Sequence, residues 1–141
     1  MKKLPNVKNV LIVDDSHACA QVACKTVKNL GIAEVSSVNN GFDALNVAIK
    51  NQPDIIFLDV EMPEIDGLQT LKMLKRVDYT KDINVVMVAA SHDVKHFATA
   101  VKFGAVDYVM KPFTMDTVRE KIVQLYPLPS EVDDLNNENA F

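Results

Sequence analysis

Two runs of residues set the pattern of this chain. "NVLIVDD", Asn9 to Asp15, and "DIIFLD", Asp54 to Asp59, are nearly unbroken apolar stretches bounded by polar residues. A strand covered on both faces has this composition, because neither side of it meets water. Shorter or less pure runs follow in "INVVMVAA", Ile83 to Ala90, and "DYVMK", Asp107 to Lys111. A fifth, "AEVSSVNN", Ala33 to Asn40, is polar enough for the edge of a sheet.

Between these runs the apolar residues change to helical spacing. Ala20, Ala23, Val27 and Leu30 predict a helix over Ser16 to Leu30, with Gly31 placed to end it. Ala44, Leu45, Ala48 and Ile49 predict a second over Phe42 to Lys50, stopped by Pro53. Leu68, Leu71, Met73, Leu74 and Val77 mark a third, and Phe97, Ala98, Val101 and Ala105 a fourth with Gly104 near its end. The last runs from Met115 to Tyr126 on Val118, Ile122 and Leu125. Strict alternation of strand and helix argues for an α/β domain: a parallel sheet of five strands with five helices on its two faces.

Composition narrows the picture further. A chain of 141 residues, 48% hydrophobic and 24% charged, suits one domain with a real core. That domain is expected over residues 1–126, with an acidic, flexible tail over 127–141. The tail holds Glu131, Asp133, Asp134 and Glu138 and no Lys or Arg, so it carries the whole net charge of −4. The remaining body is balanced, which gives no electrostatic footprint for nucleic acid or an anionic membrane. No run is long enough to span a membrane, and "MKKLPNVKNV" lacks the apolar segment of a secretory signal. A cytoplasmic location is expected. Cys19 and Cys24 point to different faces of one helix, so they read as packed or half-packed residues and not as a disulfide. His92 and His96 are four apart, but without a third ligand they read as solvated surface residues.

The acids carry the chemistry. In an open parallel sheet, ligands bind beyond the carboxyl ends of the strands. Asp14 and Asp15 end the first strand, Asp59 ends the third and Lys111 follows the fifth, so all four face one rim. Three carboxylates there repel one another unless a cation compensates them, and hard oxygen donors suit Mg²⁺. An aspartate beside Mg²⁺ and a lysine can attack phosphorus, with both cations stabilising the phosphoryl oxygens. Taken singly, each of these acids could be an ordinary turn or cap residue. It is their common rim, in this chain order, that argues for a site.

With "VDDS", "FLDVEMPEIDG" and "YVMKPF" in this order, the stretch from Asn9 to Tyr126 resembles a response-regulator receiver domain. The resemblance implies the flavodoxin-like, doubly wound fold with strand order 2-1-3-4-5. It makes Asp59 the phosphoacceptor for a sensor histidine kinase or phosphotransfer protein. Asp14, Asp15, Asp59 and the backbone carbonyl of Glu61 become the Mg²⁺ ligands, and Lys111 the phosphoryl contact, followed by a cis bond to Pro112. Met62, Pro63 and Gly67 match the loop after the acceptor, in a shaping role.

One departure stands out. Receiver domains usually end the fourth strand with Thr or Ser, and that position is Ala89 here. Tyr108 matches the aromatic that changes rotamer on activation, so the switch is expected to be weaker or differently wired, with Ser91 as a substitute hydroxyl. The expected function is a stand-alone signalling module, not an enzyme beyond its own phosphorylation and dephosphorylation. Its output passes through contacts with a downstream protein, as in a chemotaxis-like regulator or a phosphorelay intermediate. Phe97, Val101, Phe103, Tyr108 and Phe113 lie in the region the family uses for output. Two alternatives stay open: an atypical receiver that binds partners without phosphorylation, and an aspartate-dependent phosphatase of the haloacid dehalogenase type. The phosphatase would want Asp-x-Asp on the first strand, where this chain has Asp14-Asp15-Ser16.

Overall fold

The apolar runs become five parallel strands in a computed structural model that describes residues 7–90 and 94–127, without the side chains of 94–96. They are β1 (Asn9–Val13), β2 (Glu34–Val38), β3 (Ile55–Asp59), β4 (Asn84–Ala89) and β5 (Asp107–Met110). The order across the sheet is β2-β1-β3-β4-β5, as the resemblance implies. Every residue of β3 is buried, whereas the polar β2 sits at an edge with none fully buried. Continuous hydrophobicity thus marks the centre of the sheet and mixed polarity its rim.

Five helices cover the two faces: α1 (His17–Asn29), α2 (Gly41–Asn51), α3 (Gly67–Arg76), α4 (Val94–Lys102) and α5 (Met115–Leu125). Ala23, Val27, Val118 and Ile122 pack on Ile12, Phe57 and Val88, so α1 and α5 share one face. Ala44, Ala48, Leu71, Leu74 and Ala100 pack on Leu11, Leu58 and Met87, which places α2, α3 and α4 on the other. Full burial of a side chain such as Leu58 or Ile56 contributes roughly 1.5–3 kcal/mol before entropy is counted. None of the helices among the described residues is long and apolar enough to cross a membrane.

Helix ends follow local chemistry. Ser16 caps α1 by accepting from the Cys19 N–H at 3.3 Å, and Gly31, at φ 89°, takes the left-handed turn that ends it. α2 ends at Asn51, two residues before Pro53, because Gln52 adopts φ 49° and its side-chain amide donates to the Ala48, Ile49 and Tyr79 carbonyls. Several boundaries and faces differ from the sequence reading, among them the predicted face of α4, where Phe97, Ala98 and Val101 are exposed and Ala100 is buried. α4 begins at Val94 rather than Phe97 and stops at Lys102, because Lys95 and His96 give its first turn no apolar signature. Gly67 is the first residue of α3 and not part of the preceding loop. Ile49 is 39% exposed, because Ala44 and Ala48 alone of the predicted face are fully buried. Both cysteines are free, Cys19 exposed and Cys24 half-buried, as their spacing indicates. Ser91 and His92 lie outside the described residues, as do residues 128–141 of the tail.

Candidate functional site

Parallel strands bring every carboxyl end to one rim, and there Asp14, Asp59 and Lys111 meet. The Lys111 Nζ lies 3.4 Å from Asp14 Oδ2 and 3.5 Å from Asp59 Oδ2. Asp14 follows β1 directly, its N–H donating to the Val38 carbonyl at 3.1 Å, and its Oδ1 accepts from the Ser16 N–H at 2.9 Å. Asp59 closes β3, and its Oδ1 accepts from the Glu61 N–H at 3.4 Å. Lys111 is held at the end of β5 by its N–H, which donates to the Ala89 carbonyl at 2.7 Å. The Lys111–Pro112 bond is cis.

Asp14 and Asp59 are only 6% and 5% exposed, while Asp15 is exposed. One carboxylate oxygen from each of the three lies within 4.8 Å of the others. This donor set, hard oxygens at one point of a cleft, fits a magnesium-sized cation that retains several waters. The cleft is about 580 Å³ and is continued by Glu61, Met62, Pro63 and Ala90. Glu61 therefore borders the same space, with its N–H turned to Asp59.

Charge is unbalanced in this arrangement. Burial, and then the neighbouring Asp14 carboxylate, push the Asp59 carboxyl up to about 6, against the opposing pull of Lys111. Burial works to lower the Lys111 ammonium, but Asp59 and then Asp14 outweigh it, so its pKa lies above the ordinary lysine value. A carboxylate at the end of a buried strand needs its charge compensated. One ammonium offsets part of the charge of two buried carboxylates, and a cation in the cleft would offset the rest.

The loop after Asp59 is shaped by its end points. Val60 N–H donates to the Val88 carbonyl and Gly67 N–H to the Val60 carbonyl, both at 2.9 Å, which folds the loop back onto β3. Asp66 and Gln69 cap α3 reciprocally, a box that the acid-rich loop sequence concealed. Glu64 takes φ 66° within the loop. The sequence places Ser16 only at the start of a helix, yet its N–H also fixes Asp14. The rule that a serine before a helix is its cap could have found it.

Ala89 does not line the acidic cleft; its neighbour Ala90 does. Ala89 is 5% exposed within the α2–α3–α4 side of the core, the side on which Tyr108 also packs. The Tyr108 ring meets Phe97 of α4 with centroids 5.2 Å apart. Of the other residues expected near an output face, Phe103 lies under the Lys72 ammonium and Phe113 stands edge-on to Phe57. Both are half-buried, whereas Phe97 and Val101 are 43% and 48% exposed.

Known proteins resemble this chain in sequence and in fold. Sporulation initiation phosphotransferase F of Bacillus subtilis (strain 168) is 29% identical over 123 residues, covering 87% of this chain and 97% of that protein. The probable C4-dicarboxylate response regulator DctR of Priestia megaterium is 29% identical over 116 residues, 82% of this chain. The chain spans only about half, 50%, of the length of that relative. The structure of chemotaxis protein CheY4 of Vibrio cholerae superposes with a TM-score of 0.79 at 27% identity, covering 84% of this chain and 98% of that one. The sequence model of the response regulator receiver domain matches residues 10–123, and the chain belongs to that family.

Proposed function

We propose that this chain accepts a phosphoryl group on Asp59 in a Mg²⁺-dependent reaction and transmits the change through protein contacts. The observation that carries the reading is the meeting of Asp14, Asp15 and Asp59 with Lys111 at the carboxyl rim of the sheet. Receiver domains bind Mg²⁺ at such an acidic pocket and interact with histidine kinases or phosphotransfer proteins.

In the reaction, an Asp59 carboxylate oxygen forms a bond to phosphorus while the donor's phosphorus–nitrogen bond breaks and its electron pair leaves with the imidazole. The Lys111 ammonium faces the Asp59 oxygen and is placed to receive negative charge on the phosphoryl group. Asp14 would hold the cation together with Asp15, Asp59 and the Glu61 carbonyl, while Ser16 N–H keeps Asp14 in place. Mg²⁺, when bound, would offset the carboxylates and polarise the phosphoryl oxygens. Glu61 borders the cleft, where it would influence the access of hydrolytic water to the phosphoaspartate, as the family resemblance implies for this position and for Ser91.

The donor is a sensor histidine kinase or a phosphotransfer protein in the cytoplasm. The receiver is a chemotaxis-like regulator or a relay intermediate, and its downstream target is a protein. Exposed Phe97 and Val101 on α4, with Val106 before β5, offer that target an apolar surface. Ala89 favours a second reading in part, a receiver whose binding responds only weakly to phosphorylation, because the last residue of β4 carries no hydroxyl.

Incubation with acetyl phosphate and Mg²⁺, followed by intact-protein mass spectrometry, tests the proposal. A single phosphoryl adduct is expected, absent in Asp59→Asn and absent without Mg²⁺. If a known receiver is labelled in parallel and this chain is not, the phosphorylation-independent reading replaces the first.

A further inference from the structure

Exposed apolar residues gather on one side of α4. Phe97, Ala98, Val101 and Lys102 recur at i, i+1, i+4 and i+5, so they share its outward face, and exposed Val106 follows before β5. Charge is one-sided here as well. Residues 94–106 contain Lys95 and Lys102 and no acid, and α3, which packs beside α4, contains Lys72, Lys75 and Arg76 and no acid. The Lys72 ammonium sits 4.3 Å from the Phe103 ring centre, and Lys75 donates to the Lys81 and Ile83 carbonyls. Arg76, one turn beyond Lys72, and Lys102 are exposed, and neither pairs with an acid among the described residues. The body of the chain is balanced as a whole, so this apolar and basic surface is a local excess.

The sequence past residue 127 has the complementary composition. Glu131, Asp133, Asp134 and Glu138 stand there without a base, interleaved with Val132 and Leu135. That segment also starts close by. The Asn84 side-chain amide donates to the Tyr126 hydroxyl at 3.2 Å, and the next residue of β4, Val85, accepts from the Val106 N–H at 2.9 Å. The chain therefore leaves α5 at the end of the sheet where the α4 surface begins, roughly 10 Å away at ordinary strand spacing. Extended chain from Tyr126 reaches about 40 Å by Glu138, whereas α4 is only about 14 Å long. A second copy of the chain on this surface would set its cations against the same cations. We propose that residues 131–138 of this chain lie along α4, with Val132 and Leu135 against Val101 and Val106 and the carboxylates toward Lys102 and Arg76. The segment then covers the surface offered to a downstream target. Phe97 beside it also meets the Tyr108 ring, so seating of the tail and activation of the receiver are linked. Only this linkage rests on the phosphoacceptor reading; the seating does not.

A nitroxide on Asn137→Cys in the full chain, with Cys19→Ser and Cys24→Ala to make the label unique, tests the contact by amide NMR. Broadening is expected at residues 97–106 and at Arg76, with the amides of His17 to Val22 left sharp. Reversing the four tail acids to Lys should cut the broadening at least about threefold, as several exposed ion pairs acting together allow. Lys102→Glu with Arg76→Glu should do the same, and joining the two sets of reversals should restore it. Restoration separates a charge contact from a loss of fold. Broadening absent from residues 97–106, or indifferent to both reversals, would overturn the proposal. Broadening that appears only on mixing spin-labelled with isotope-labelled chains would overturn it in favour of contact between copies. Beryllium fluoride should change the broadening; no change in a chain that acetyl phosphate labels overturns the linkage. Broadening kept in a chain that acetyl phosphate never labels overturns the phosphoacceptor reading alone.

Discussion

Gly67 stands against the backbone of Asp59 with no room for a side chain between them. A Cβ at Gly67 would lie 2.9 Å from the Asp59 carbonyl carbon and 2.7 Å from the Val60 Cα, and nearer still to the Asp59 carbonyl oxygen. These are backbone atoms of a central strand, so they cannot swing aside as a side-chain end could. Gly67→Ala must therefore push the start of α3 away from β3 or tilt the Asp59 peptide. A loss of about 1–3 kcal/mol is expected, the usual cost of overpacking. Phosphoryl uptake should fall as well, because the displaced atoms belong to the acceptor. Urea denaturation and mass spectrometry of the acetyl phosphate reaction check both; wild-type stability would show that the helix start can yield.

Asp59 makes the metal-free protein less stable as pH rises. Its carboxyl keeps a proton up to about 6 in the fold, against 3.8 for an ordinary aspartate. Between those values the folded chain binds more protons than the unfolded one, so stability falls with rising pH, and above about 6 the loss is complete. Asp59→Asn removes the charge. Without divalent ions, the variant should exceed wild type by on the order of 1–3 kcal/mol near pH 8. The advantage should shrink toward zero as pH is lowered through about 6 to 4. Urea titrations across that range measure it, and an advantage that does not change with pH would contradict the argument.

Asp15 separates a contribution to cation binding from a contribution to folding. It is exposed, unlike Asp14 and Asp59, so Asp15→Asn should change metal-free stability by no more than about 0.5 kcal/mol. Its oxygen nevertheless belongs to the three-carboxylate cluster. Mg²⁺ at a hundred times its Kd should stabilise wild type by about 2–3 kcal/mol and the variant much less. Thermal melts with and without Mg²⁺ at neutral pH give the comparison. Equal Mg²⁺ stabilisation of the two proteins would remove Asp15 from the ligand set.

How far sequence could carry these conclusions depends on whether the cause is local. β3 shows in "DIIFLD" because a strand buried on both faces must be apolar throughout, and β2 shows as an edge because Ser36 and Ser37 dilute it. The meeting of Asp14, Asp59 and Lys111 follows from chain order alone, since parallel strands put all their carboxyl ends on one rim. The order of the strands does not follow from alternation and needed the family resemblance. The start of α4 was hidden because Lys95 and His96 are polar, and the exposure of Ile49 because spacing does not say how wide a face is buried. Close approaches were hidden altogether. Nothing near Gly67 in sequence announces the Asp59 carbonyl.

Ala89 leads to the last prediction. Residues Met87 and Tyr108 are partners in the β4–β5 register, and Ala89 lies two residues beyond Met87 on the same face of the sheet. All three pack on the same side of the core, where the Tyr108 ring also meets Phe97. A threonine at position 89 would add a hydroxyl at the end of β4, within the group of side chains that links the acidic rim to α4. A hydrogen bond from it to a charged phosphoryl group contributes about 1.5–3 kcal/mol, which shifts a two-state equilibrium by roughly tenfold or more. Ala89→Thr should therefore enlarge the response of Tyr108 to the phosphoryl analogue beryllium fluoride, at a stability cost of about 1–2 kcal/mol for crowding a buried site. Fluorotyrosine NMR reads the response directly, with Tyr79→Phe and Tyr126→Phe assigning the Tyr108 signal among the three tyrosines. A small displacement in wild type and a larger one in the variant is the expected pair of results. Equal displacement in both would mean that Tyr108 and Phe97 are driven by a route that never needed the hydroxyl.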